Sequence, residues 1–330
     1  MTAFEAIGVV GGGAWGTALA NAAARAGRSV TLWARDASEV ATMRDRRENV
    51  RRLPGVRLED AVSPTADLAD LRRVDTALLV VPAQALRGVA LALAPVLPTG
   101  CPAVVCAKGI ERATGSFMTD VTSEAMPHAT PAVLSGPSFA EDVSRGLPTA
   151  VVLAAAQESL AEALAQALSS SRFRVYHGVD MRGVEIGGAA KNVLAIAAGI
   201  VAGRRLGESA RAALTARGFA ELTRFARAFG GRPETLMGLS GLGDLILTCG
   251  SAKSRNFAFG VDLGEGLPVG EAGHGKLAEG AFTARALVEM ARSAGVDLPI
   301  CEAVDAVLSG RVGIDDVVER LMTRPLKSEG

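Results

Sequence analysis

The sequence predicts an α/β protein in which an N-terminal domain, residues 1–180, is built on a mostly parallel sheet and a C-terminal domain, residues 181–330, is all-helical. Three observations predict this. Short apolar runs alternate with Ala-rich helical stretches through the first half of the chain. The strand-like runs stop at about Val179, and from Gly183 onward Ala/Leu/Arg-rich segments keep helical spacing. Alternation of this kind favours parallel strands covered by helices on both faces.

The elements follow in order. Ala6 to Val10 is an apolar run ending in glycines and reads as a buried strand. Trp15 to Ala26 reads as a helix closed by Gly27, the residue type that most easily takes the left-handed conformation after a helix end. Ser29 to Trp33, Thr76 to Val81 (stopped by Pro82), Ala103 to Ala107, Ala132 to Leu134 and Thr149 to Ala154 read as further strands, with a helix from about Ser159. In the second half, Ala189 to Ala202, Ser209 to Phe229, Ala281 to Ala294 and Cys301 to Leu308 read as helices. The Gly-rich stretch Gly260 to Gly275 reads as a mobile connection.

The bulk numbers narrow the function. At 330 residues the chain is too long for one ordinary core and suits two domains. Lys+Arg and Asp+Glu are equal at 35 each, so there is no global field to hold nucleic acid or an anionic membrane. An anionic ligand must therefore be held by local groups. Cys101, Cys106, Cys249 and Cys301 fit no zinc spacing and read as free thiols in a reducing compartment. His128, His177 and His274 are scattered, so no metal site is expected, and a proton-transfer group should be Lys, Asp or Glu. The apolar start carries Glu5, lacks a basic leader and breaks at Gly11, unlike a signal peptide. Gln84 and Arg87 interrupt one apolar stretch and Lys191 another, so no membrane span is expected, and the location reads as cytoplasmic.

Gly11-Gly12-Gly13-Ala14-Trp15-Gly16 satisfies G-x-G-x-x-G between a strand and a helix, with a second strand about a dozen residues on. That context is the dinucleotide-binding fingerprint of a Rossmann-type domain. Gly11 allows the tight turn, Gly13 lets the backbone approach the pyrophosphate, and Gly16 lets helix and strand pack closely. The N–H groups at the helix start then face the phosphates. After the second strand comes Trp33-Ala34-Arg35-Asp36. Arg35 suits a 2′-phosphate and favours NADP, while Asp36 leaves NAD open through the ribose hydroxyl.

Four later segments set a polar or charged residue beside glycines or an abrupt turn: Ala107-Lys108-Gly109, Ser135-Gly136-Pro137-Ser138-Phe139-Ala140, Gly187-Gly188-Ala189-Ala190-Lys191-Asn192, and Gly241-Leu242-Gly243-Asp244 through Thr248. Lys108 directly follows a strand, where open parallel sheets bind ligands. Lys191 lies in a helix of Gly, Ala, Val, Leu and Ile, where an ammonium must snorkel, pair or serve a site. Asn192 could orient a ligand oxygen, and Asp244 and Thr248 share a helix face. Ser254-Arg255-Asn256 offers a guanidinium and an amide to a phosphate.

Taken in order, the Gly-rich start, Lys108, Ser-Gly-Pro-Ser-Phe-Ala, Gly-Gly-Ala-Ala-Lys-Asn, Gly-Leu-Gly-Asp-Leu, Ser-Arg-Asn and Ala278-Glu279-Gly280 resemble the NAD(P)-dependent glycerol-3-phosphate dehydrogenase family, from about Ile7 to Leu308. The resemblance implies reduction of dihydroxyacetone phosphate to sn-glycerol 3-phosphate, a phospholipid precursor. It implies Lys191 as proton donor and acceptor, and Lys108, Gly136, Ser138, Asn192, Asp244, Thr248, Ser254, Arg255 and Asn256 as substrate contacts. On the cofactor side it implies Gly11, Gly13, Ala14, Trp15, Gly16, Arg35, Lys108, Ala140, Arg255, Leu277 and Glu279. The implied partner is a small phosphorylated ketone or alcohol, with a homodimer as the family's assembly. Ala14 stands where many members have Ser, Arg35 where His is frequent, and Gly273 to Ala278 departs from the usual Val-rich approach to the Glu. A lysine acid near neutral pH calls for burial or a second cation such as Lys108 to lower its pKa. A related β-hydroxyacid or 6-phosphogluconate-type dehydrogenase, and a non-catalytic dinucleotide sensor, are the competing readings.

Overall fold

The computed structural model describes residues 4–275 and 278–325. The chain divides into two compact units, Met1–Gly188 with Glu234–Asp244, and Ala189–Pro233 with Leu245–Gly330.

The first unit holds strands β1 (Ala6–Val10), β2 (Ser29–Trp33), β3 (Val62–Thr65), β4 (Thr76–Leu79), β5 (Pro102–Val105), β6 (Thr130–Ser135), β7 (Thr149–Ala155) and β8 (Phe173–Gly178). They form one sheet in the order β3-β2-β1-β4-β5-β6-β7-β8, parallel throughout except that β7 runs antiparallel to β6. The order reverses between β1 and β4, and beyond the carboxyl ends at such a switch point open sheets leave a crevice for ligands.

The apolar runs fix which strands lie inside. The pleat sends Ile7 and Val9 into one core with Leu32, Leu78 and Val104. It sends Val10 into another with Leu79, Ala103 and Val105. Helices α1 (Ala14–Arg25) and α2 (Ala37–Arg46) follow β1 and β2; α3 (Leu86–Leu93), α4 (Met118–Ala125), α5 (Ala140–Ser144) and α6 (Glu158–Leu168) follow later strands. Leu19 of α1 and Leu164 of α6 enter the first core, and Leu86 of α3 and Val121 of α4 the second.

Two strands lie outside the sequence expectation. Pro64 disguises β3, since proline cannot donate to a ladder and is tolerated here only because β3 is an edge. β8 is the other edge; buried Phe173 and Val175 alternate with exposed Arg174 and Tyr176.

Helix α7 (Met181–Gly203) runs out of the first unit into the second. By length and composition it could cross a membrane, but 89% of its most apolar window is buried, as in the core helix of a globular fold. Beyond it come α8 (Glu208–Ala228), α9 (Pro233–Leu236), a π-helical turn at Leu239–Gly243, α10 (Asp244–Cys249), α11 (Arg255–Gly264), α12 (Glu279–Ser293), α13 (Pro299–Leu308) and α14 (Ile314–Met322). Among the described residues no strand follows Gly178.

The expectation of a mobile connection from Gly260 is corrected over its first part, because α11 continues through Gly264. The glycines serve packing. A Cβ on Gly260 would lie 2.1 Å from the Ile196 carbonyl oxygen, and one on Gly199 2.1 Å from that of Phe257. Gly203 and Gly264 meet in the same way one turn on. Two glycines four apart on each helix thus bring the α7 and α11 backbones into contact. Elsewhere in this unit, buried Glu221 of α8 accepts the N–H groups of Ile300 and Cys301 and so caps the start of α13. Burial pushes its carboxyl up to about 7.

Candidate active site

The glycine-rich turn after β1 shows a separate reason for each glycine. Gly11 has φ +128°, and a Cβ there would lie 2.5 Å from the Val80 carbonyl oxygen. A Cβ on Gly16 would lie 1.8 Å from the Gly11 oxygen, so helix and turn meet without a side chain between them. Around Gly13 nothing lies within 4 Å of the Cβ position. Gly13 is also the N-cap of α1, which has no side-chain cap and no acidic residue in its first turn. Helix-start N–H groups and the positive end of the helix dipole suit an anion there. An open cradle of this kind fits a dinucleotide pyrophosphate.

Ala14, Trp15 and Ala140 pack, half-buried, against the same core as β1. Arg35 and Asp36 are exposed at the end of β2. Asp36 accepts the N–H groups of Ser38 and Glu39 and the Ser38 hydroxyl, capping α2. The Ser38 hydroxyl, then those N–H groups, hold its carboxyl below the usual carboxylate range.

Lys108 lies just beyond β5 and Gly136 just beyond β6. The Lys108 ammonium donates to the Asp244 carboxylate at 2.6 Å and to the Gly136 carbonyl at 3.1 Å. Asp244 is 1% exposed and begins α10 with helical backbone, so its carboxylate is an ion-pair partner for Lys108 and not an N-cap. Gly136 has φ +147°, and a Cβ there would lie 2.9 Å from the Val151 Cα. The Ser138 hydroxyl donates to the Gly136 carbonyl at 3.0 Å. The carboxyl ends of β5 and β6 thus gather Lys108, Gly136, Ser138 and Asp244.

In the second unit, Lys191 is buried, 7% exposed, and its ammonium donates to the Thr248 hydroxyl at 2.7 Å. Asn192 and Asn256 are buried and joined, with the Asn256 amide donating to the Asn192 side-chain oxygen at 2.9 Å. The Asn256 oxygen in turn accepts the Gly280 N–H at 2.9 Å. Ser254 caps α11 by accepting the Phe257 N–H, and Arg255, the first helical residue, is exposed. Glu279 opens α12. Leu277 lies outside the described residues.

Sequence reasoning missed two buried polar groups beside the site. Asn49, 2% exposed, donates to the Gly12 carbonyl at 2.9 Å and to the Thr17 hydroxyl at 2.8 Å, bracing the glycine turn from a distant loop. Nothing in its local sequence signals this. Ser135 ends β6 and opens the Ser-Gly-Pro-Ser segment. Its buried hydroxyl has no partner among the described residues and lies 2.7 Å from where a Gly188 Cβ would be.

A switch-point glycine turn, a bare helix start and a strand-end lysine define a nicotinamide-dinucleotide-dependent dehydrogenase. The comparisons with known proteins narrow the class. The family models for the N-terminus and C-terminus of NAD-dependent glycerol-3-phosphate dehydrogenase match residues 6–161 and 180–319. A glycerol-3-phosphate dehydrogenase [NAD(P)+] of Azorhizobium caulinodans is 67% identical over 329 residues, covering 100% of both chains. One from Bradyrhizobium sp. (strain ORS 278) is 64% identical over 99% of this chain and 98% of its own. The crystal structure of glycerol-3-phosphate dehydrogenase from Coxiella burnetii superposes with a TM-score of 0.92 at 37% identity, covering 97% of this chain and 99% of that one. The chain belongs to the NAD-dependent glycerol-3-phosphate dehydrogenase family.

Proposed function

We propose that the chain reversibly reduces dihydroxyacetone phosphate to sn-glycerol 3-phosphate with NAD(P)H, supplying the glycerol backbone of phospholipids. The observation that carries the mechanism is the buried Lys191 ammonium held by the Thr248 hydroxyl at 2.7 Å. Bound NAD(P)H supplies a hydride to the ketone carbon. Negative charge then builds on the ketone oxygen, and an N–H of Lys191 stabilises it and delivers the proton. Thr248 fixes the direction of that ammonium.

The Arg255 guanidinium anchors the substrate phosphate, with Ser254 and Asn256 beside it in sequence. Lys108, Gly136, Ser138, Asn192 and Asp244 make the other substrate contacts, Lys108 being held ready by Asp244 and the Gly136 carbonyl. Gly11, Gly13, Ala14, Trp15, Gly16, Arg35, Lys108, Ala140, Arg255, Leu277 and Glu279 serve the dinucleotide. Exposed Arg35 favours the 2′-phosphate of NADP. Residues 1–180 form the dinucleotide-binding domain and 181–330 the substrate-binding domain, each lending residues to the other's ligand, in a cytoplasmic homodimer.

Lys191→Ala should lower turnover at least about 100-fold while NADPH binding, read by fluorescence titration, survives. Unchanged turnover in that variant overturns the assignment. Arg255→Ala should chiefly raise the KM for dihydroxyacetone phosphate.

A further inference from the structure

The mechanism leaves unused a buried carboxylate on the helix that carries Lys191. Glu185 of α7 is 6% exposed. Its oxygens accept the Thr119 N–H at 2.7 Å and the Thr119 hydroxyl at 2.8 Å. Thr119 is the second residue of α4, whose own N-cap, Phe117, has no side-chain oxygen to offer. The cap that Ser, Thr, Asp or Asn normally supplies from within the helix is here supplied from another helix. Arg182, one turn earlier on α7, completes the attachment. Its guanidinium meets both Asp120 oxygens at 3.0 Å, lies 3.4 Å from Glu185, and sits 4.0 Å over the Phe117 ring.

What is attached here matters. Phe117 pairs with Ile110 across a β-bridge that closes the loop following Lys108. The other side of that loop is pinned by Gln84, which donates to the Ile110 carbonyl, and by Arg87, which forks onto Glu111 at 2.9 and 2.8 Å. Near Lys108 itself, the same α7 passes with Gly188, whose Cβ position lies 3.4 Å from the lysine Cγ. One turn of α7, from Glu185 to Gly188, thus holds the start of α4 that follows this loop and passes beside Lys108 that precedes it.

We infer that Glu185, with Arg182, is a positioning residue for substrate binding: it clamps the loop that carries Lys108 to α7 through the start of α4. This rests on Lys108 contacting the substrate as proposed above. The groups facing the Glu185 carboxylate are Arg182 of its own helix and Thr119 and Asp120 of α4. Burial pushes the carboxyl up to about 7, so its charge, and with it the pull of Arg182, changes within the working pH range.

The test compares Glu185→Ala, Glu185→Gln and, as a control, Glu221→Ala, which removes a cap of the same kind in the second unit. Hydrogen–deuterium exchange over residues 109–119 reads the clamp without turnover. Glu185→Ala should speed exchange there at least about tenfold, whereas Glu221→Ala should leave it unchanged. In steady-state assays Glu185→Ala should raise the KM for dihydroxyacetone phosphate more than it lowers kcat. Glu185→Gln keeps an acceptor for the Thr119 N–H and should restore most of the affinity while flattening the pH dependence of KM near 7. Unchanged exchange in Glu185→Ala overturns the clamp. Faster exchange with an unchanged KM overturns its role in substrate binding, and an inactive wild type would instead sink the proposed reaction and leave the exchange result standing.

Discussion

Helices α1 and α2 both begin beyond the carboxyl ends of neighbouring parallel strands, yet one start is bare and the other is closed. At α2 the Asp36 carboxylate takes up the first N–H groups. At α1 the N-cap is a glycine with open space where its side chain would be. A helix leaves its first N–H groups without intrahelical partners, and they need a cap, water or a ligand. The closed start supports the fold. The bare start is held in shape by other means, the Gly11–Gly16 contact and the Asn49 brace, and so keeps its donors for an anion.

The largest expected effect comes from closing the bare start. Gly13→Asp should place a carboxylate at the proposed phosphate cradle, cutting NADPH affinity at least about 100-fold with a thermal midpoint close to wild type. Fluorescence titration and a melt check this, and undiminished binding would show that the bare start holds no phosphate. Next comes Arg35→Ser, beside the closed start. It should raise the KM for NADPH about tenfold and hardly change that for NADH, read from parallel assays with the two cofactors.

A third kind of start, that of α13, is capped from another helix and responds to pH. The carboxyl of Glu221 is raised to about 7, so its contribution to stability is full below its unfolded value and is lost as pH rises through 7. Unfolding free energies from urea titrations should therefore fall between pH 5 and pH 8 by up to about 3 kcal/mol more for wild type than for Glu221→Gln. The smallest effect runs the other way. The Asp36 carboxyl is lowered, so its contribution is present above its unfolded value and lost as pH falls through the folded one. Asp36→Ala should lower the thermal midpoint slightly at pH 7, and the gap should narrow as pH falls below the ordinary carboxylate range.

Much of this was legible in the residues themselves. The strands at Ala6, Ser29, Thr76 and Ala103 announced themselves as apolar runs because buried parallel strands need no polar face. The glycine spacing foretold the turn because Gly11 and Gly16 each answer a local steric demand while Gly13 leaves the helix start open. What stayed hidden was either disguised or distant. β3 was masked by Pro64, and the Gly260 stretch by glycines that serve helix contact and not chain freedom. The brace by Asn49 and the cap by Glu185 join residues 37 and 66 positions apart, and no local pattern encodes such pairings.

The glycine contacts between α7 and α11 carry one more consequence. With carbonyl oxygens of one helix lying close to where side-chain carbons of the other would sit, backbone rests on backbone and sets the spacing of the two helices. The amine of Lys191, two turns before Gly199, therefore inherits its height and bearing from main-chain contact further down its own helix. Adding a single carbon at Gly260 would re-aim that amine while leaving every polar group in the enzyme intact.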